Sequence, residues 1–327
     1  MCKHTRRSAV SLARLVSSDN TDELVRRWDE SYRRSRQRRA ARGASRAKVR
    51  PLICVVAVLG AAAWVDEPPS TPADDPLARA ALLQPAPVVK GVSIRSQPAI
   101  PSAAAMRSAW RFARRRGGQV SIAVVDTRGR LRGRATRNVY PSASVVKAML
   151  LVAELNRLAR NRLELDGPTL DLLRAMITRS DNDSADAIYA RVGDAGLRDV
   201  AAAAGLRRFR VALSWGYAQV TAADMARLFA RLRGLAPPRY RHTALLLLRS
   251  LTPEHRWGIF KAARGRWTVH AKGGWRETAS GHLVHQAAWL RHGGRHLSIA
   301  VLTDAQPSHI YGVHTVRGIA DRLLRTR

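Results

Sequence analysis

An α+β fold, with one antiparallel sheet assembled from both ends of residues 104–327 and a helical block between them, follows from three observations on this 327-residue chain. Short β-branched runs separated by turn residues lie near residues 120–135 and recur at 267–303. The intervening stretch carries apolar residues at helical spacing, and a last helical pattern closes the chain.

Residues 120–125 (Val-Ser-Ile-Ala-Val-Val) read as a strand, Asp126-Thr127-Arg128-Gly129 as a turn, and 131–135 as the returning strand. Val146, Met149, Leu150, Val152, Ala153 and Leu155 then recur at helical spacing, which predicts a long buried helix starting near Ser144. Further helices are expected at 170–178, 184–192, 197–204, 222–232 and 243–251. Residues 267–275 read as a strand running into glycines. Two more, 282–290 and 296–303, flank Arg291-His292-Gly293-Gly294-Arg295, and 313–325 reads as the closing helix. A site is expected between sheet and helices.

Only 6 of the 57 basic residues are lysine. Arginine stays protonated inside proteins, whereas a buried lysine can lose its proton, so a lysine beside a serine suggests deprotonation chemistry. Lys147 follows Ser144 by three positions and shares its helical face, near amides that favour a developing oxyanion. The plainer alternative is that Ser142 or Ser144 caps a helix. Ser180-Asp181-Asn182 is a second cluster, for which Asp181 or Asn182 as an N-cap is the plain reading. Lys272-Gly273-Gly274 is the third; alone it is a strand end and turn.

In that order the three clusters resemble the Ser-x-x-Lys, Ser-Asp-Asn and Lys-Thr-Gly set of class A β-lactamases and penicillin-binding proteins. The similarity runs from about 104 to 327 and includes Tyr140, the Met176-Ile177 pair and Thr221-Ala222-Ala223-Asp224-Met225-Ala226. It implies a β-lactamase/transpeptidase-like fold with a mostly helical inserted subdomain. It also implies a serine hydrolase forming an acyl-serine intermediate with a β-lactam or D-alanyl (peptidoglycan) peptide, without a cofactor. By the same resemblance Ser144 is the nucleophile and Lys147 its base, directly or through a water. Ser180 relays a proton to the leaving nitrogen, Asn182 binds the substrate amide, and Lys272 shapes the electrostatics. Gly274 and Trp275 line the substrate edge, the amides of Ser144 and Trp275 forming the oxyanion hole.

The chain departs from that pattern in ways that matter. Class A enzymes hydrolyse the acyl-enzyme with a glutamate on a loop after Ser-Asp-Asn, yet no glutamate occurs between Glu164 and Glu254. Gly216 falls near the expected place, and Asp183 and Asp186 lie too close to the triplet to replace it. Gly273 stands where a serine or threonine hydroxyl helps bind a carboxylate, with Arg276 or Thr278 as possible compensation. The 36 residues from Ser144 to Ser180 also suggest a trimmed helical domain. Efficient β-lactam turnover is therefore not expected; the alternative is a non-catalytic wall-binding descendant.

Residues 1–50 hold 15 Lys or Arg against 5 Asp or Glu and read as a cytoplasmic leader. The uncharged residues 51–65 are a membrane anchor or a signal segment, and 66–103 a Pro- and Ala-rich tether, with the domain at 104–327 extracytoplasmic. The net charge of +33 would draw anionic wall polymers; arginines spread along the chain without a recognisable module argue against specific nucleic-acid binding, and a basic nucleic-acid-binding protein is the least favoured alternative. Seven of ten histidines follow residue 269 without forming a convergent metal set: His282 and His285 face opposite sides of a strand. Cys2 and Cys54 lie outside the catalytic region, which has no disulfide.

Overall fold

The computed structural model describes residues 100–325. The expected leader, the uncharged stretch at 51–65 and nearly all of the tether lie outside the described residues. Among the described residues no helix is long and apolar enough to cross a membrane.

Strands β1 (Gln119–Val125), β2 (Leu131–Arg134), β6 (Thr268–Thr278), β7 (Gly281–His292) and β8 (Arg295–Gln306) form one antiparallel sheet in the order β2-β1-β8-β7-β6. The N-terminal hairpin thus pairs with the last strand, as the distribution of β-branched runs predicts. Ala300 of β8 stands opposite both Ala123 and Ala287, so small side chains cross the sheet centre where helices close on it. Helix α5 (Ala222–Leu235) covers one face, where Ser298 Oγ donates to Ala226 O at 2.6 Å. Helix α8 (His309–Leu323) covers the other: a Cβ on its Gly312 would lie 2.5 Å from Val284 Cγ2 of β7.

The helical block comprises α2 (Lys147–Arg160), α3 (Gly167–Thr178), α4 (Asn182–Ala204) and α6 (Arg241–Arg249). The helices expected at 184–192 and 197–204 are one run, bent at Gly193, whose φ of 59° breaks the helix without ending it. The closing helix starts at His309, four residues before the expected 313, because Ser308 caps it by accepting from Tyr311 N.

Three features lie outside the sequence reading. Helix α1 (Ala103–Ala113) packs beside α8, and Ile100 exchanges two hydrogen bonds with Thr127, so the chain joins the fold from residue 100. A small sheet of β3 (Val139–Pro141), β5 (Ser214–Thr221) and β4 (Arg210–Ala212) lies beside the main one, and α7 (Ile259–Ala263) precedes β6. The arginines are also less dispersed than expected. Arg107, Arg111, Arg114 and Arg115 are exposed at helical spacing along α1 and its C-terminal cap, and α1 has no acidic residue.

Candidate active site

The segment carrying Ser144 is fixed before the helix begins. Tyr140 of β3 is buried and shares a 2.8 Å hydrogen bond with Ser121 of β1, while buried His285 reaches Pro141 O at 3.0 Å. A tight 3-10 turn, Ala143–Val146, then leads into α2, so the expected helix starts as a 3-10 turn and becomes α-helical only at Lys147. Ala143 takes a φ of 45°, a left-handed conformation that costs a non-glycine residue energy, directly before the serine. Ser142 makes no capping bond; its hydroxyl donates to Trp215 O at 3.0 Å. Ser144 is partly exposed between buried neighbours, whereas Lys147 is fully buried.

Lys147 Nζ donates to Ser180 O at 2.6 Å, Asn182 Oδ1 at 2.6 Å and Asp181 O at 3.0 Å. None of these acceptors carries a proton, so Lys147 is the donor in all three bonds. Ser180 takes a φ of 57°, and its carbonyl meets Lys147 while its hydroxyl meets the second lysine. Asp181 caps α4 through Ser184 N at 2.7 Å, so its plain reading is correct and coexists with the motif. Burial alone would raise the Asp181 carboxyl; the Ser184 hydrogen bonds and the charges of Lys147 and Arg179 outweigh it and hold the pKa below the usual value.

Lys272 arrives from β6 with 1 % exposure and donates to Ser180 Oγ at 2.8 Å and Gly273 O at 2.9 Å. Burial lowers its pKa from 10.5 to about 7. Gly274, two positions on, backs onto the turn: a Cβ there would lie 2.8 Å from Ser144 N and 2.7 Å from Val145 N. Any side chain at 274 would push the edge strand off the serine. The three clusters separated in sequence thus meet around Ser180, with Trp275 on the edge strand beside them.

Residues 166–326 match the family model described as the β-lactamase enzyme family. That match spans residues in the second half of the chain, and with the solved structures it identifies the fold as β-lactamase-like. Solved structures with the same fold include an ancestral (GNCA) class A β-lactamase at 21 % identity, with a TM-score of 0.60, covering 67 % of this chain and 98 % of that one. The β-lactamase from Sphaerobacter thermophilus aligns at 19 % identity and 0.60 over 67 % of this chain and 95 % of that one. The class A β-lactamase from Mycobacterium abscessus aligns at 20 % and 0.60 over 68 % and 98 %. No curated protein sequence matches the chain.

Against the β-lactamase-like pattern, the stretch after Ser-Asp-Asn is rebuilt. Strand β5 runs straight into α5, which Thr221 caps by accepting from Asp224 N. Trp215 of β5 lays its indole 4.9 Å from Lys147 Nζ and donates through Nε1 to Asp186 at 2.8 Å. Sequence reasoning missed this tryptophan. Its only local signal was a large aromatic in an otherwise polar, Gly-containing segment. Gly216, near the expected glutamate position, accepts from Arg276 Nη2 at 3.2 Å. Of the two compensating candidates, Arg276 stacks on Tyr217 at 3.7 Å, and the Thr278 hydroxyl donates to Gly281 O within the β6–β7 turn. Among the described residues no group of three or more His, Cys, Asp or Glu converges as a metal site.

Proposed function

We propose that this protein is an extracytoplasmic acyl-serine enzyme that acylates Ser144 with a β-lactam or D-alanyl peptide and releases the acyl group slowly. The observation that carries this reading is the meeting of two buried lysines on Ser180, one on its carbonyl and one on its hydroxyl, beside Ser144. With Lys147 neutral, its nitrogen takes the Ser144 proton as Oγ bonds to the donor carbonyl carbon. The oxyanion is held by the amides of Ser144 and Trp275. Collapse breaks the carbon–nitrogen bond, the Ser180 hydroxyl protonates the leaving nitrogen, and Lys272 returns a proton to Ser180. Asn182 gives its Oδ1 to Lys147, which leaves Nδ2 to donate to the donor's amide carbonyl.

Slow release is supported by Trp215. Its indole lies over Lys147 and donates to Asp186 Oδ1, and no glutamate occurs between Glu164 and Glu254 to supply a base there. Trp215→Glu is expected to shorten the acyl-enzyme lifetime at least about ten-fold by supplying a general base; an unchanged lifetime would count against a missing base as the cause.

Location outside the cytoplasm is supported by the basic leader and the uncharged residues 51–65, and attraction to anionic wall polymers by the exposed arginines of α1. Incubating the full-length protein with a fluorescent penicillin and recording intact mass tests the chemistry. A persistent single adduct absent from Ser144→Ala is expected, and rapid loss of the adduct would refute slow release. Gly273 and the missing glutamate favour the second reading, a wall-binding protein without turnover, which the absence of any adduct would support. Labelling intact cells with a membrane-impermeant penicillin tests location.

A further inference from the structure

We propose that the acyl donor of Ser144 presents an uncharged, flat or apolar group, and not a carboxylate, to an aromatic wall built by Trp257 and Trp275 beside Gly273. The proposal rests on the acyl-serine reading and narrows its substrate class.

Strand alternation separates the two sides of β6. Lys272, Gly274 and Arg276 point one way, and Gly273 and Trp275 the other. Because Gly274 backs onto Ser144 N, a donor attacked by Ser144 lies along this edge and meets what stands at 273 and 275. At 273 that is the Trp257 ring. A Cβ built on Gly273 would lie 2.5 Å from Trp257 Cζ2 and 3.1 Å from Cη2, closer than real side chains approach. Trp257 is only 9 % exposed, so its ring cannot step aside cheaply. Gly273 and Trp257 are therefore a matched pair: the indole fills the volume that a hydroxyl-bearing side chain at 273 would need.

The wall continues from there. Trp257 meets Trp275 edge-on at 6.3 Å and His309 at 6.3 Å, Trp275 meets His309 at 5.7 Å, and His255 stacks on Trp275 at 5.5 Å. Burial foremost drives the pKa of both histidines to about 4, with Lys272 and Lys147 also acting on His255 and His282 on His309, so both rings are neutral at pH 7. The neighbouring cations are turned elsewhere. Lys272 serves Ser180 and its own strand carbonyl, and Arg276, on the opposite side of β6, serves Gly216 O and the Tyr217 ring. A carboxylate set against the wall would lose its water to aromatic carbon, a loss that a neutral group is spared.

The test compares two donors that differ in one charge: benzylpenicillin and its methyl ester, each mixed with the full-length protein and followed by intact mass. The ester is expected to acylate Ser144 at least about ten-fold faster, the scale of leaving a carboxylate without a compensating partner. Gly273→Thr combined with Trp257→Ala is expected to reverse that preference. The wild-type comparison needs no variant to fold. An acid that reacts as fast as the ester, or faster, overturns the proposal and leaves the acyl-serine reading intact. Failure of both donors to modify Ser144 overturns both.

Discussion

Lys147→Ala is expected to slow acylation of Ser144 by about 10²–10⁴, the usual contribution of a positioned general base. The structure makes the reason specific. Lys147 donates to three proton-free oxygens that fix its nitrogen, and as the base it must offer a lone pair to Ser144. The second lysine has a different part: Lys272 touches the Ser180 hydroxyl and has a pKa brought by burial to about 7. Lys272 must carry a proton to return it to Ser180, so the acylation rate should fall as pH rises through about 7. Lys147→Met, similar in length and uncharged, separates chemistry from packing and should be as slow as the alanine variant. The pH profile of wild-type acylation, read by quenched-flow mass spectrometry, should show the inflection. A Lys147→Met rate within about three-fold of wild type would remove Lys147 from the role of base.

Much of this site is legible in the sequence because its parts are local patterns. The Ser144 and Lys147 spacing, the Ser180 triplet and the lysine before Gly273-Gly274 need only their order to suggest convergence. The main sheet is legible for the same reason: β1, β2, β7 and β8 are runs whose alternation and turn residues are complete within a dozen positions. What escapes depends on distant partners. Strand β5 is interrupted by Gly216 and polar residues and holds its shape by pairing with β3, far earlier in the chain, so the contact of Trp215 with Lys147 has no local signature. The left-handed φ values of Ala143 and Ser180 are likewise imposed by surrounding structure, since neither residue type prefers them. Helix α1 was different. Met106, Ala109, Trp110 and Ala113 stand at helical spacing, but the alanine content they share with the preceding tether hid them.

Acid is expected to unfold the domain cooperatively between about pH 6 and pH 4, and four histidines are the main reason. His255, His270, His285 and His309 are 7 %, 5 %, 0 % and 7 % exposed, and burial is the largest cause lowering each pKa from 6.5 to about 4. Their charged surroundings add to burial for three of them: Lys272 and Lys147 disfavour the cation on His255, Arg249 and Arg291 on His270, and His282 on His309, with Glu254 a smaller opposing influence on His255. A base whose pKa is depressed by folding binds its proton more readily in the unfolded chain. These groups therefore leave stability unchanged above about pH 6.5 and remove it as pH falls toward 4. Four protons taken up on unfolding correspond to at most about 5 kcal/mol per pH unit, and over the window the loss is on the order of 10 kcal/mol, comparable to the whole stability of a domain. Asp181 and Glu254, whose pKa values are lowered, add to the loss at still lower pH. Melting temperature against pH, followed by tryptophan fluorescence, reads this directly because Trp257, Trp275 and Trp289 lie beside these rings. His270→Phe keeps the ring contact with Trp289 while deleting one titrating group, so its unfolding midpoint should move to lower pH with a shallower slope. A melting temperature unchanged from pH 7 to about pH 4.5 would mean that these histidines take up protons without unfolding the protein, contrary to the desolvation that their burial implies.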